Sequence, residues 1–583
     1  MKSATPMKTR ALVLLLLVVV VAPAEAARPY RGGVVASAYP QAAEAAMQML
    51  DRGGNAVDAA VAAAFAAGVV GPYHNGLGGG GFALVALAGK DTLALDFREV
   101  APAAATRDMF LRDGKAVPEL AVDGALSVAV PNAVNGYLVL LEKAGSLPRP
   151  VVLGPAIRLA RDGFVVTPKY RQTAAARADC LRRDPDAARI FLRPGPDGRP
   201  DAPALGARLR QPDLARTLER IAASGASVVR TGPVAQAIVQ TVRGAGGILS
   251  GEDLARLRPR WRTPLWGTYR GHRIAAFPPP GGGGFIVLET LGVLERLRPE
   301  RFERRATADL HLYVEALRRS YLDRAQLVAD PAQVDVPTDR LLSPGHLAEL
   351  AASIDPGRAT PSSALQPPPG AATGAGAAAH PPSEAKHTTQ ISVLDRAGNA
   401  VALTTTVNTW FGSCLVARGT GILLNDEMDD FSIQPGVPNS YGLVFGEANA
   451  IAPGKIPVSS MAPTLVFQKE HPDRVLLALG GSGGSLIPTG VVQVVMNVLD
   501  ARMSLPAAVA AGRVHHQWLP DAVSVNPDSL DPATRAGLEA MGHTFKVVDS
   551  PLADVEAVME DPETGLRTAA SDPRGEGAAL GQP

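Results

Sequence analysis

Hydrophobic and polar positions change period several times along this chain, and each change predicts an element. Residues 56–70 are almost wholly apolar, which predicts a helix buried on all sides. Asn55 and Asp58, just behind the Gly53-Gly54 break, suit its start. The run Gly76 to Gly81 predicts a tight turn, and residues 82–88 a short buried strand. Further helices are expected over 155–162, 211–224, 233–243 and 307–325. From about residue 360 to 386 the chain is Ala, Gly, Pro and Ser with almost no large apolar side chain, so it should not order itself. Directly behind it, Thr389, Ile391 and Val393 alternate with Thr388, Gln390 and Ser392, the period of a strand. Ala397-Gly398-Asn399 is turn chemistry and residues 401–408 a returning strand, so Thr388 opens a hairpin. Strands over 421–424, 464–468 and 474–479 and a helix over 488–499 complete the pattern.

With 583 residues, 46% of them hydrophobic and 19% charged, the chain can bury a large core. A formal net charge of +1 supplies no global field, which argues against nucleic acid or an anionic membrane as partner. Residues 1–26 read as an export signal: Lys2, Lys8 and Arg10, an apolar run over 11–21, then Ala24-Glu25-Ala26 for cleavage. The run is shorter than the roughly 20 residues of a membrane span, so the mature chain is expected without one, in the periplasm or outside the cell. Only Cys180 and Cys414 occur, and two cysteines so far apart are read as unpaired or buried.

Three motif matches lose on context. Gly76 to Gly81 satisfies a dinucleotide-binding glycine pattern, but here the order is helix, turn, strand instead of strand, turn, helix. Gly480-Gly481-Ser482-Gly483-Gly484 fits a serine-hydrolase elbow with His515, His516 and His543 downstream. It lacks the upstream oxyanion motif and repeated parallel strands, and glycine amides facing a developing oxyanion explain it better. His515-His516 has no spaced carboxylates and reads as core or loop histidine. No metal and no cofactor are expected.

A threonine hydroxyl is a weak nucleophile unless a base adjoins it, and a chain-terminal threonine carries one in its own α-amine. That amine titrates near 8, so much of it is free base near neutrality. Thr388 acquires it only if the His387–Thr388 bond is cut.

The motifs around Thr388 resemble those of γ-glutamyltranspeptidases (glutathione hydrolases). They are Thr388-Thr389, Gly398-Asn399-Ala400-Val401, Thr404-Thr405-Thr406-Val407-Asn408, residues 421–431 ending in Asp429-Asp430-Phe431, Pro435-Gly436-Val437-Pro438-Asn439, Ser459-Ser460-Met461 and Val514-His515-His516-Gln517-Trp518. Upstream, Gly53 to Ala60, Gly78 to Phe82 and Asp96-Phe97-Arg98-Glu99 are similar to the same family, in order over nearly the whole mature chain. The resemblance implies an α/β (α+β) N-terminal nucleophile hydrolase, a four-layer αββα sandwich. It implies self-cleavage into a large subunit, residues 27–387, and a small one, 388–583, which form one unit.

By the same resemblance Thr388 attacks the γ-glutamyl amide of glutathione or a similar donor, Thr406 orients it, Thr389 supports it, and Gly483 and Gly484 hold the oxyanion. Arg98 with Ser459 and Ser460 would take the α-carboxylate, and Asp430 with Glu427 and Asn408 the α-ammonium. Residues 435–449 match the family's lid, with Tyr441 its gating aromatic. Water or an amino-acid or peptide acceptor would release the glutamyl group. Gln390 stands where histidine is common, His387 where a neutral polar residue is, Gly281-Gly282 where serines are frequent and Leu486 where arginine often follows the glycine pair. The rivals are an acylase of the same fold acting on glutaryl or related side chains, and an unprocessed exported binding protein.

Overall fold

Strand alternation sorts this molecule into layers. The computed structural model describes residues 29–303, 306–365 and 388–583. Its principal strands are β1 (Val34–Ser37), β2 (Gly80–Ala86), β3 (Leu93–Asp96), β4 (Arg260–Arg262), β5 (Leu265–Tyr269), β6 (His272–Ala276), β7 (Thr389–Leu394), β8 (Ala400–Thr406), β9 (Thr464–Phe467), β10 (Val475–Ser482), β11 (Asp554–Glu560), β12 (Arg567–Ser571) and β13 (Ala578–Gly581). They form a seven-stranded sheet, order β4-β3-β2-β8-β7-β1-β13, and a six-stranded sheet, order β5-β6-β9-β10-β11-β12. Neighbours are antiparallel throughout both.

On the seven-stranded sheet Val35, Val85, Ile391, Val393, Val401 and Leu403 face an outer helical layer. Their alternates Ala36, Leu84 and Ala402 face inward with Leu465 and Ala478. The outer layer holds α1 (Pro40–Asp51), α2 (Ala56–Val70), α3 (Ala133–Ala144), α4 (Arg149–Asp162) and α5 (Pro212–Ser224). On the far side α6 (Gly282–Leu297), α7 (Thr307–Leu327), α8 (Pro344–Ala352) and α9 (Ile487–Leu499) form the fourth layer. The order is therefore αββα.

The expected elements are present, with shifts that have causes. Every residue of α2 is buried, and Asn55 and Asp58 cap it reciprocally. The helix expected from Pro155 begins at Arg149, because Pro148 rather than Pro155 precedes its first turn. The strand over 421–424 is only Ile422–Leu423, paired with Val416–Ala417. Gly78, Gly79, Gly80 and Gly81 serve close packing: a Cβ on any of them would collide with Leu423 O, Thr406 O, Glu99 or Thr404 O respectively.

Two expectations are corrected. Residues 360–365 are not loose: Arg318 Nη1 donates to Ser362 Oγ at 2.6 Å, and Ser362 Oγ donates to Trp518 O at 2.6 Å. Composition hid these anchors, since they lie on distant elements. The remainder of that segment, His387 and the export signal lie outside the described residues. Cys180 and Cys414 are not unpaired but form a disulfide with a Cα–Cα distance of 5.9 Å across 234 residues of sequence. Folding sets the short helix Ala178–Leu181 beside the loop after β8, a proximity that sequence spacing does not reveal.

Candidate active site

The hairpin β7–β8 lies at the centre of the seven-stranded sheet and places its threonines by register. Thr389 pairs with Thr405, so Thr388 and Thr406 meet at the open end. The Thr388 hydroxyl donates to Thr406 Oγ1 at 3.2 Å, and Thr406 Oγ1 accepts from the Asn408 amide at 2.9 Å. Thr389 turns the other way, where its hydroxyl accepts from Asn75 Nδ2 at 2.9 Å. Thr388 is 3% exposed and sits at φ 94°, a region a β-branched residue rarely adopts.

From the facing sheet, β10 delivers Gly483 and Gly484, at φ 129° and 58°, to the start of α9. A Cβ on Gly484 would collide with the Tyr441 ring. Tyr441 in turn donates to Asn408 Oδ1 at 2.8 Å, so the 435–449 loop is folded over the site. Arg98, Thr388, Thr406, Asn408, Glu427, Asp430, Tyr441, Ser459, Ser460 and Gly484 line one cavity of about 20 Å³. That is room for about one water. A cavity of about 890 Å³ lies beside the end of β10, lined by Ser482, Tyr39, Trp410, Lys169, Arg574 and Glu576 among others.

The charges of this cavity pair with one another. Arg98, 1% exposed, is ion-paired to both Glu427 and Asp430, the acids expected to take an ammonium. Asp96 instead pairs with Arg262 at 2.7 Å, and Glu99 stands 3.9 Å from Arg98. Burial raises the Asp430 carboxyl above its ordinary value, and Arg98 offsets only part of that rise. Burial, then the Asp430 charge, lifts Asp429 to about 7, and burial lifts Glu99 to about 8. Asn439 Nδ2 donates to Asp430 Oδ1 at 3.3 Å and Asn449 Nδ2 to its backbone carbonyl at 2.7 Å.

Ser459 and Ser460 dock on the turn that starts α6, where the Gly282 amide donates to Ser459 O at 2.8 Å. The Gly281-Gly282 departure falls at this junction: a Cβ on Gly282 would press against Arg324. Arg324, on α7, is a site residue the sequence reading missed. Its Nη2 donates to Ser460 Oγ at 3.0 Å, and its guanidinium lies 4.7 Å from the Phe445 ring centre. Burial lowers its pKa to about 10, and among the described residues its Nε and Nη1 have no hydrogen-bond partner. Gln390 points away from this cavity, accepting from Thr404 Oγ1 at 2.6 Å and facing Gly480 between the sheets.

The rival motifs are occupied structurally. His515 bonds Thr489 Oγ1 and Gln517 Oε1, both at 2.9 Å, and burial pulls its pKa to about 4. His516 accepts from the Trp518 amide at 3.1 Å and lies 3.3 Å from Asp521. Glu289, Asp323 and His346 also converge, with His346 Nε2 2.8 Å from Asp323 and 3.7 Å from Glu289.

Comparison with known proteins agrees with this architecture. Residues 42–582 match the sequence profile of the γ-glutamyltranspeptidase family. The glutathione hydrolase proenzyme of Escherichia coli (strain K12) is 39% identical over 544 residues, covering 93% of this chain and 90% of that one. The acylase ACY 1 proenzyme of Pseudomonas sp. (strain SE83) is 36% identical, covering 92% and 91%. Among solved structures, cephalosporin acylase from Bacillus halodurans superposes with a TM-score of 0.83 at 28% identity, covering 98% of this chain and 100% of that one. The chain thus belongs to the γ-glutamyltranspeptidase family and has its N-terminal nucleophile hydrolase fold.

Proposed function

We propose that this protein is an exported γ-glutamyltranspeptidase that cuts itself before Thr388 and uses the exposed threonine as nucleophile on glutathione and related γ-glutamyl compounds. The observation that carries the reading is the Thr388 hydroxyl, bonded to Thr406 in the same cavity as Gly484, Arg98 and Asp430. In the first step the hydroxyl attacks the His387 carbonyl carbon, the peptide nitrogen leaves as the Thr388 amine, and water hydrolyses the ester. The φ of 94° at Thr388 supports this, since such strain is worth about 1–3 kcal/mol and is released when the bond is cut.

In the mature enzyme the α-amine takes the hydroxyl proton as Oγ1 attacks the γ-glutamyl carbonyl. The Gly483 and Gly484 amides hold the oxyanion, worth roughly 3 kcal/mol per donor. The proton passes to the leaving amine, and water or an amino-acid or peptide acceptor then takes the glutamyl group. The cavity of about 890 Å³ beside Ser482 offers room for these partners. The expected export signal, and a disulfide that an oxidising compartment preserves, support an exported protein.

Donor choice follows from charge exchange. A glutamyl group brings one carboxylate and one ammonium. Its carboxylate replaces the acids on Arg98, and its ammonium replaces Arg98 on Glu427 and Asp430, so every buried charge stays paired. A glutaryl group brings only the carboxylate and would strand both acids. Steady-state comparison of glutamyl and glutaryl anilides tests this: higher kcat/KM is expected for the glutamyl compound. Faster glutaryl turnover would make the protein an acylase.

A further inference from the structure

We propose that the Cys180–Cys414 disulfide joins the large and small subunits covalently after the cut. This rests on the reading that the chain is severed before Thr388. Cys180 precedes that bond and Cys414 follows it, so a crosslink internal to the precursor becomes a bridge between two chains.

The bridge is built into the core. Cys180 is 6% and Cys414 2% exposed, and both belong to the cluster under the outer helical layer. Arg177 grips the same place from the large-subunit side. Its Nη2 lies 3.4 Å and 3.2 Å from the two sulfurs and donates to Gly412 O at 3.2 Å, while its Nε donates to Trp410 O at 3.0 Å. Asp123 Oδ1 accepts from Arg177 Nη2 at 2.7 Å, which keeps the guanidinium there. The loop so held begins at Asn408, which lines the glutamyl cavity and accepts from Tyr441. The large subunit therefore clamps the segment that leaves the pocket.

Two thiols form this bond by giving two protons and two electrons to an external disulfide, which departs as two thiols. Burial then shields both sulfurs from attack by another thiolate. Severed chains held only by packing can part when they unfold, whereas linked chains stay at a high effective concentration of each other.

The test uses full-length protein exported to an oxidising compartment, purified without reductant and unfolded in denaturant containing excess iodoacetamide, so that any free buried thiol is alkylated as it is exposed. Denaturing gels and intact mass are read with and without dithiothreitol. The expected result is one species without reductant, with the mass of both chains less two hydrogens, and two species with it. Cys180→Ala should give two species in both conditions. Two species from the unreduced wild type, with Cys180 and Cys414 both alkylated, would overturn the linkage alone. A single species even after reduction would overturn the cut itself, and the bridge between chains with it.

Discussion

Arg98 is ion-paired with both Glu427 and Asp430 out of water, an arrangement that is stable only while every charge has a partner. Asp430→Asn removes one anion from the ammonium's site. Its kcat/KM for a γ-glutamyl anilide is expected to fall about 30-fold or more, the effect of losing about 2 kcal/mol or more from a buried pair. Turnover of the glutaryl anilide should change far less. Arg324 acts through Ser460, which places it as a positioning residue. Arg324→Gln is therefore expected to raise KM for the donor while kcat changes little, and an equal fall in kcat would contradict that role. The sequence made Arg98 and Asp430 legible because both stand in ordered family motifs. Arg324 was illegible: it lies within a long helix whose pattern reports only that α7 is buried. The pairing of Arg98 with the two acids was equally hidden, since they lie 329 and 332 residues away in sequence.

Hairpin β7–β8 was legible because period two and a glycine turn are local signals, yet the burial of its polar positions was not. Gln390 and Ser392 are buried between the sheets, where Ser392 Oγ donates to Glu556 O at 2.8 Å. Alternation reported two faces without saying that both were covered. The fourth layer carries a pH-sensitive joint that no local pattern shows. His346 on α8 lies 2.8 Å from Asp323 on α7 and 3.7 Å from Glu289 on α6. Asp323 and Glu289 raise His346 from 6.5 to about 9, so its contribution is fully present below 6.5 and lost as pH rises through 9. Burial raises Glu289 above 4.5, so its folded form holds a proton the unfolded form has lost, which also makes stability fall with rising pH. Thermal denaturation should accordingly show Tm falling between pH 6.5 and 9 more steeply in the wild type than in His346→Gln. Parallel slopes would exclude this joint.

Both sheets are mixed across residue 388: β8 pairs with β2, β7 with β1, and β9 with β6. Neither portion could bury its sheet faces alone, so a cut there leaves one folded body rather than two domains. The family's whole-chain order was legible in the sequence because its motifs are contiguous strings. The disulfide was not, because it depends on loops brought together from 234 residues apart. The account as a whole stands on Thr388 becoming a chain end. Intact mass of the purified wild type and of Thr388→Ala, measured under reducing conditions beside γ-glutamyl anilide turnover, tests that most directly. The wild type should give two chains, the second beginning at Thr388, with activity, and Thr388→Ala one inactive chain. Active wild type that remains a single polypeptide across residues 387 and 388, or a Thr388→Ala variant cut at the same bond, would contradict it.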